Sequence, residues 1–249
     1  MNCFRLLGRL WILFLIIPTR LDAVCTSYPV GNDRKQWSDI ENHKVAKSLN
    51  PLIKDVQSIR GRGHGKINYD VYAITVDSQG DSPEKFFNYI RKNISSIIFS
   101  GTSYSLAPYN KKNEKKWNSK KSKGAVMSFT LAKIPGVMDL ERGSVVLSCI
   151  SPTDMIFSTV TTSKDGWHPV AGNRAFGVIR AQNGGLTFFV KAADRVVNKG
   201  FFAVLPEKGR EFIYKQGHNV WMRMLDNIEK KMKTRKPRSR FVHSVRMDY

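Results

Sequence analysis

Hydrophobic residues recur at helical spacing in two segments of the chain. In the first, Ser82 is suited to cap a helix and Pro83 to occupy its first turn. The apolar positions that follow are Phe86, Phe87, Ile90, Ile94 and Ile97. The second segment, about 218–233, carries one apolar stripe made of Val220, Trp221, Met224, Leu225, Ile228 and Met232. Each stripe predicts a helix that buries one face.

The remaining apolar segments are short and have the spacing of extended chain. They predict strands at 66–76, 102–106, 125–132, 144–150, 155–162, 174–181 and 186–191. Asn183-Gly184 separates the last two, which is a strong signal for a hairpin turn. Because short turns join consecutive strands, we expect an antiparallel meander.

The order of these elements predicts an α+β fold, a curved antiparallel sheet with a long C-terminal helix packed across it. We expect the folded domain to cover residues 66–233. A polar N-terminal arm would precede it at 24–65, and a basic C-terminal tail would follow at 234–249.

This order resembles the helix-grip architecture of the START-like superfamily. The resemblance extends over residues 66–233 and implies a cavity between the sheet and the last helix. It also implies an apolar small molecule or lipid as the ligand. On this interpretation the ligand-binding residues would be Trp221, Met224 and Leu225.

The N-terminus has the layout of a secretory signal peptide. Arg5 and Arg9 precede a short apolar run, and the small residue Ala23 offers a cleavage point. We therefore expect residues 1–23 to be removed and the protein to be secreted. Cys25 and Cys149 would remain, and in an exported chain they would either form a disulfide or leave Cys149 as a buried free thiol.

Positive charge dominates the composition. The chain has a formal net charge of +21, and the basic residues concentrate between residues 111 and 123 and again after residue 230. Such runs form an anion-binding surface whose partners would be an anionic membrane, an acidic polysaccharide or, non-specifically, nucleic acid. The residues predicted to contact that surface are Lys111, Lys112, Lys115, Lys116, Trp117, Lys120, Lys121, Lys230, Lys231, Lys233, Arg235 and Lys236.

Candidate chemistry lies in the segment Trp167-His-Pro-Val-Ala-Gly-Asn-Arg-Ala-Phe-Gly177 and in Ala193-Asp-Arg195. This pattern resembles exported bacterial proteins to which no activity is attached. His168 would act as a general acid or base, Arg174 would hold an anion and Asp194 would orient either one, if the fold brings them together. In the alternative, the segment only shapes a turn and Arg174 pairs with Asp194.

No sequence motif for a serine hydrolase, a zinc peptidase or a P-loop is present, and the five histidines lack metal-ligand spacing. We therefore expect no cofactor and no metal.

The sequence favours a secreted basic protein that binds an apolar ligand, an anionic surface, or both. The alternative is an exported toxin or effector enzyme, namely a basic ribonuclease that uses His168 and Arg174. A structural or adhesion domain held at a surface by its charge is a third possibility.

Overall fold

A computed structural model describes residues 24–28, 34–101, 104–130, 142–232 and 234–249. The predicted signal peptide, residues 1–23, lies outside the described residues. The α-helices are α1 Ser38–Glu41, α2 Ile59–Arg62, α3 Pro83–Lys92, α4 Ile94–Ile98, α5 Lys111–Trp117 and α6 Glu207–Lys231. The strands are β1 Asp55–Val56, β2 Gly63–Val76, β3 Ser105–Pro108, β4 Val126–Thr130, β5 Arg142–Ile150, β6 Asp154–Thr161, β7 Val170–Arg180, β8 Leu186–Val197 and β9 Pro237–Met247. Short 3₁₀ helices occupy Arg34–Trp37, Lys47–Leu49 and Gly200–Val204.

Across the described ranges, the strands form one sheet in the order β3-β4-β5-β6-β7-β8-β2-β9, with β1 paired to β6. Every pair is antiparallel. The meander from β3 to β8 is therefore confirmed, including the hairpin that joins β7 to β8. α6 packs across this sheet, so the predicted α+β helix-grip architecture is confirmed.

The strand β2 shows why the sheet is covered on both faces. Tyr72, Ile74 and Val76 alternate into the larger core, which α3, α4 and the C-terminal half of α6 complete. Tyr69 and Val71 point to the opposite face. Since successive side chains of a strand alternate between faces, nearly the whole strand is buried only because both faces are packed.

The N-terminal segment is what covers that opposite face, so its prediction as a polar arm is incomplete. Trp37 and Ile40 are fully buried there against Tyr69. The ammonium of the buried Lys191 reaches the carboxylate of Asp39 at 2.6 Å. A lysine with no exposed surface requires such a partner, and the pair holds the segment to β8.

The disulfide between Cys25 and Cys149 is confirmed. It joins the start of the described chain to β5 across 124 residues of sequence. The alternative of a free thiol at Cys149 is thereby removed.

The predicted basic tail, residues 234–249, is a further difference. It is largely strand β9, which pairs with β2 along the edge of the sheet. Its arginines explain the placement: Arg238 pairs with Asp77, Arg240 with Asp226 and Glu229, and Arg246 with Glu211. Charges that would repel each other in a free tail instead meet carboxylates on neighbouring elements.

Two helix boundaries also differ from the sequence prediction. The first predicted helix is divided at Asn93 into α3 and α4. α6 begins at Glu207, well before residue 218. The sequence prediction missed its first three turns because they lack a complete apolar stripe, and several side chains of these turns face a cavity. In the described part of the chain, no helix is long and apolar enough to cross a membrane.

Candidate functional site

A cavity of about 200 Å³ lies between the sheet and the N-terminal half of α6. Its walls are mainly apolar and aromatic. Side chains that line it include Phe99, Tyr104, Leu106, Phe129, Val145, Phe157, Phe176, Phe202, Phe212, Ile213, Val220 and Trp221. The next two turns of α6 pack solidly instead, since Met224, Leu225 and Ile228 have no exposed surface. The cavity is therefore a local gap in an otherwise filled interface.

One wall of the cavity carries a buried charge cluster, formed by three neighbouring strands. In the register of the sheet, Arg174 on β7 and Asp70 on β2 both lie beside Ala192 of β8. The small Ala192 side chain leaves room for the guanidinium to cross β8. Nη1 of Arg174 lies 2.8 Å from Oδ1 of Asp70, and Nη2 lies 3.1 Å from Oδ2 of Asp194.

The strands β7 and β8 lie unusually close together beside Asp194, one of the two carboxylates that pair with Arg174. Gly172 pairs with Asp194 in the register. A Cβ atom at position 172 would lie 2.2 Å from the carbonyl oxygen of Ala193, so only glycine fits there. Gly172 is thus a strand residue with a packing role, and not part of the turn that the sequence suggested.

The cluster contains two carboxylates for one guanidinium. Burial alone would lower the pKa of Arg174, but Asp70 and Asp194 together raise it above its ordinary value. Burial raises the pKa of Asp194 well above its ordinary value, against the opposing effect of Arg174 and with the assistance of Asp70. Asp194 therefore keeps a proton more readily than an exposed carboxyl group, while Arg174 stays charged.

Trp221 closes the cluster from the helix side. The guanidinium carbon of Arg174 lies 4.3 Å from the centroid of the indole ring, the geometry of a cation–π contact. The indole in turn meets Phe176 edge-on at 6.0 Å between centroids. One face of Arg174 is thus covered by an aromatic ring, and its edge is occupied by carboxylates.

His168 lies elsewhere on the cavity wall. Its Nδ1 is 3.1 Å from the carbonyl oxygen of Val170, and its ring is 5.6 Å from that of Phe129. No hydrogen bond joins it to Arg174 or Asp194 in the described part of the chain. Burial lowers the pKa of His168 to about 4, and the charge of Arg174 acts in the same direction, although the contact with Val170 opposes it. The imidazole is therefore neutral at neutral pH.

This low pKa predicts a loss of stability in acid. The ordinary pKa of the imidazole is 6.5, so the unfolded chain binds a proton at His168 before the folded protein does. The contribution of His168 to the free energy of unfolding is thus lost as pH falls from 6.5 to about 4. Below about pH 4 His168 is protonated in both states and its contribution no longer changes with pH. We expect His168→Gln to reduce the slope of unfolding free energy against pH in this window, measured by urea unfolding. Equal slopes for both proteins would contradict the assignment.

The structure places four of the six predicted catalytic and ligand-binding residues on the cavity wall. His168, Arg174, Asp194 and Trp221 all line the cavity, and Arg174 pairs with Asp194 as the alternative interpretation expected. Met224 and Leu225 do not line it, because they lie in the solid part of the core.

Asp70 and Asn68 belong to the site and were missed from sequence. Both line the cavity, and Nδ2 of Asn68 donates to Oδ2 of Asp70 at 3.0 Å. The sequence did contain an indication of this. Asn68 and Asp70 occupy every second position of the strand together with Tyr72, Ile74 and Val76, so all five side chains lie on the same face of the sheet.

The lysine-rich segment between residues 111 and 123 is the helix α5 with a following turn. Lys111, Lys112, Lys115, Lys120 and Lys121 are exposed, Lys116 is partly exposed, and no ion pair joins them to any residue that the structure describes. The prediction that Trp117 contacts a membrane is wrong. Its indole is buried, stacks on Phe157 and is covered by Arg91.

The C-terminal basic residues divide into two groups. Lys230, Lys231 and Lys236 are exposed. Arg235, by contrast, is largely buried and pairs with Asp81. It therefore acts inside the fold and not as a surface cation. Lys233 lies outside the described residues.

Over the ranges that the structure covers, no group of three or more His, Cys, Asp or Glu side chains is placed to hold a metal ion.

The described chain thus has a helix-grip-like fold, in which a long C-terminal helix packs across an antiparallel sheet and a cavity lies between the two. The chain is similar to a conserved protein from Geobacillus kaustophilus at a TM-score of 0.44 and 11% identity, over 69% of this chain and 99% of that one. It is similar to the Zhui aromatase/cyclase from Streptomyces at a TM-score of 0.44 and 11% identity, over 66% and 93%. For a major latex-like protein from Panax ginseng, the TM-score is 0.38 and the identity 10%, over 67% and 98%. No protein-family model and no curated protein matches the sequence.

Proposed function

We propose that this is a secreted binding protein that holds a small apolar molecule in the cavity between the sheet and α6. The observation that carries the proposal is the cavity itself, a gap of about 200 Å³ with aromatic walls in an interface that is otherwise packed solid. Apolar cavities of about 150 Å³ accept a molecule the size of benzene. The expected ligand therefore has one ring or two fused rings.

The charge cluster defines the polar end of this ligand. Because Asp70 and Asp194 already occupy the guanidinium of Arg174, no free cation is left to balance a buried anion. Because burial raises the pKa of Asp194, its carboxyl group takes up a proton closer to neutral pH than an exposed carboxyl group does, and that form can donate to a hydroxyl or carbonyl oxygen of the ligand. The ligand should therefore carry an uncharged polar group and no carboxylate.

Attachment to an anionic surface, a membrane or a polysaccharide, is the second part of the proposal. It is supported by the exposed, unpaired lysines of α5 and the turn after it. Such charges act without sequence or shape specificity and weaken steeply as salt rises.

Filling the cavity tests the ligand-binding proposal. Gly217 lines the cavity from α6, and a Cβ atom there would meet no atom within 4 Å. Gly217→Leu should therefore lower the affinity for naphthol at least tenfold, measured by quenching of the tryptophan fluorescence. Since leucine favours a helix over glycine by about 1 kcal/mol, the variant should be no less stable than the parent. Asn219→Leu, at an exposed position of the same helix, is the matched control and should bind as the parent does.

A second probe tests the polar end of the site. Naphthoate, which carries a carboxylate on the same ring system, should bind at least tenfold more weakly than naphthol. Failure of the parent to bind naphthol, or binding that is unchanged in Gly217→Leu, would contradict the proposed function.

The ribonuclease alternative gains no support from this geometry. Arg174 is engaged by two carboxylates and covered by Trp221, so it has little freedom to hold a phosphate. A neutral His168 could accept a proton but could not donate one as a general acid at neutral pH.

A further inference from the structure

An exposed apolar surface lies where the 3₁₀ helix Gly200–Val204 leads into α6. Phe201 is 41% exposed, Val204 77% and Phe212 39%. We call these three side chains, together with the exposed Lys199, Lys208 and Lys215, the mouth patch. Large apolar side chains clustered on a surface generally mark an interaction site.

The mouth patch is continuous with the cavity. Phe212 both lines the cavity and is exposed, so it lies where the cavity meets the solvent. Phe202, beside Phe201, lines the cavity from the same 3₁₀ helix. A ligand that entered here would pass directly over the exposed apolar side chains.

Cations surround these apolar side chains. Lys199, Lys208 and Lys215 are exposed, and no ion pair connects them to the part of the chain that the structure describes. Residues 199–215 include two acidic residues, of which Glu211 is paired with Arg246. Only Glu207, in the first turn of α6, opposes the three lysines. The patch thus combines apolar insertion groups with net positive charge.

We propose that the mouth patch docks onto an anionic lipid bilayer, which places the cavity entrance at the membrane surface. Apolar side chains enter the boundary between headgroups and acyl chains, while lysines around them meet anionic headgroups. Charge complementarity selects this occupant, because a second copy of this highly basic chain would be repelled. Docking itself is independent of the ligand, but passage of the ligand from bilayer to cavity rests on the proposed function.

Sedimentation with phospholipid vesicles tests the apolar contribution. The mature protein should bind vesicles made of equal parts phosphatidylcholine and phosphatidylserine. Phe201→Ser combined with Val204→Ser should weaken this binding at least tenfold. The control is Phe241→Ser with Val242→Ser, which removes apolar side chains that are 41% and 37% exposed on β9 and should leave binding unchanged.

A second pair of variants tests the charge. Replacing Lys199, Lys208 and Lys215 with glutamine should weaken vesicle binding by about 100-fold, at roughly fivefold for each cation near the surface. The same replacement of Lys111, Lys112 and Lys115 removes as much charge from the basic surface of α5 and should weaken vesicle binding less than the replacement in the mouth patch does. A loss confined to the α5 variant, or binding to acidic polysaccharide but not to vesicles, would overturn the proposal.

The Gly217→Leu variant separates docking from ligand binding. We expect it to bind vesicles as the parent does even though it no longer binds naphthol. Normal vesicle binding by a protein that never binds naphthol would contradict the proposed function and leave docking supported. Normal naphthol binding without vesicle binding would overturn docking alone.

Discussion

Replacing Arg174 with methionine should lower the free energy of unfolding by about 3–5 kcal/mol at neutral pH. The substitution leaves Asp70 and Asp194 buried beside each other without the guanidinium that now contacts both. It also removes the cation stacked on Trp221. Uncompensated carboxylates in an apolar wall must either stay charged at high cost or take up protons, and both alternatives favour unfolding.

Urea unfolding at neutral pH measures this effect. Arg180→Met, which removes an exposed arginine at the end of the same strand, is the control and should change stability by less than about 1 kcal/mol. Adding Asp70→Asn and Asp194→Asn to Arg174→Met should restore much of the loss, because neutral amides leave no unpaired charge. An Arg174→Met protein as stable as the parent would show that the cluster is not charged in the way described.

Removing the disulfide should lower the free energy of unfolding by about 3–5 kcal/mol. Cys25 and Cys149 are separated by 124 residues, and cross-links that close long loops remove most freedom from the unfolded chain. The N-terminal segment would then be held to the sheet mainly by the packing of Trp37 and Ile40 and by the ion pair between Asp39 and Lys191.

Thermal and urea unfolding of a Cys25→Ser, Cys149→Ser variant would measure the loss. The parent protein in a reducing buffer should unfold at the same point as the variant, which controls for the serine side chains. A difference below about 1 kcal/mol between oxidised and reduced parent would mean that noncovalent contacts alone fix the segment.

The candidate site shows how far sequence reasoning extends. Arg174 was found because it lies in a segment rich in functional groups, and Asp194 was found because it could pair with Arg174 across the predicted hairpin. Asp70 was not found, because it is distant in sequence and belongs to a strand whose neighbours could not be known. Trp117 was misread for a related reason: its lysine neighbours are exposed, but the ring itself stacks on Phe157 of β6.

The sequence by itself determined the order of the central elements, from β2 and α3 through the meander to the C-terminal part of α6, and the apolar faces that α3, α4 and this part of α6 bury. Those properties follow from the spacing of side chains a few residues apart, which the chain carries locally. Only the tertiary structure decided that residues 237–247 pair with β2 and that Arg174 crosses Ala192 to reach Asp70. It also decided that the first turns of α6 leave a cavity unfilled. These features depend on register and packing between segments far apart in sequence, where many pairings satisfy the same local pattern.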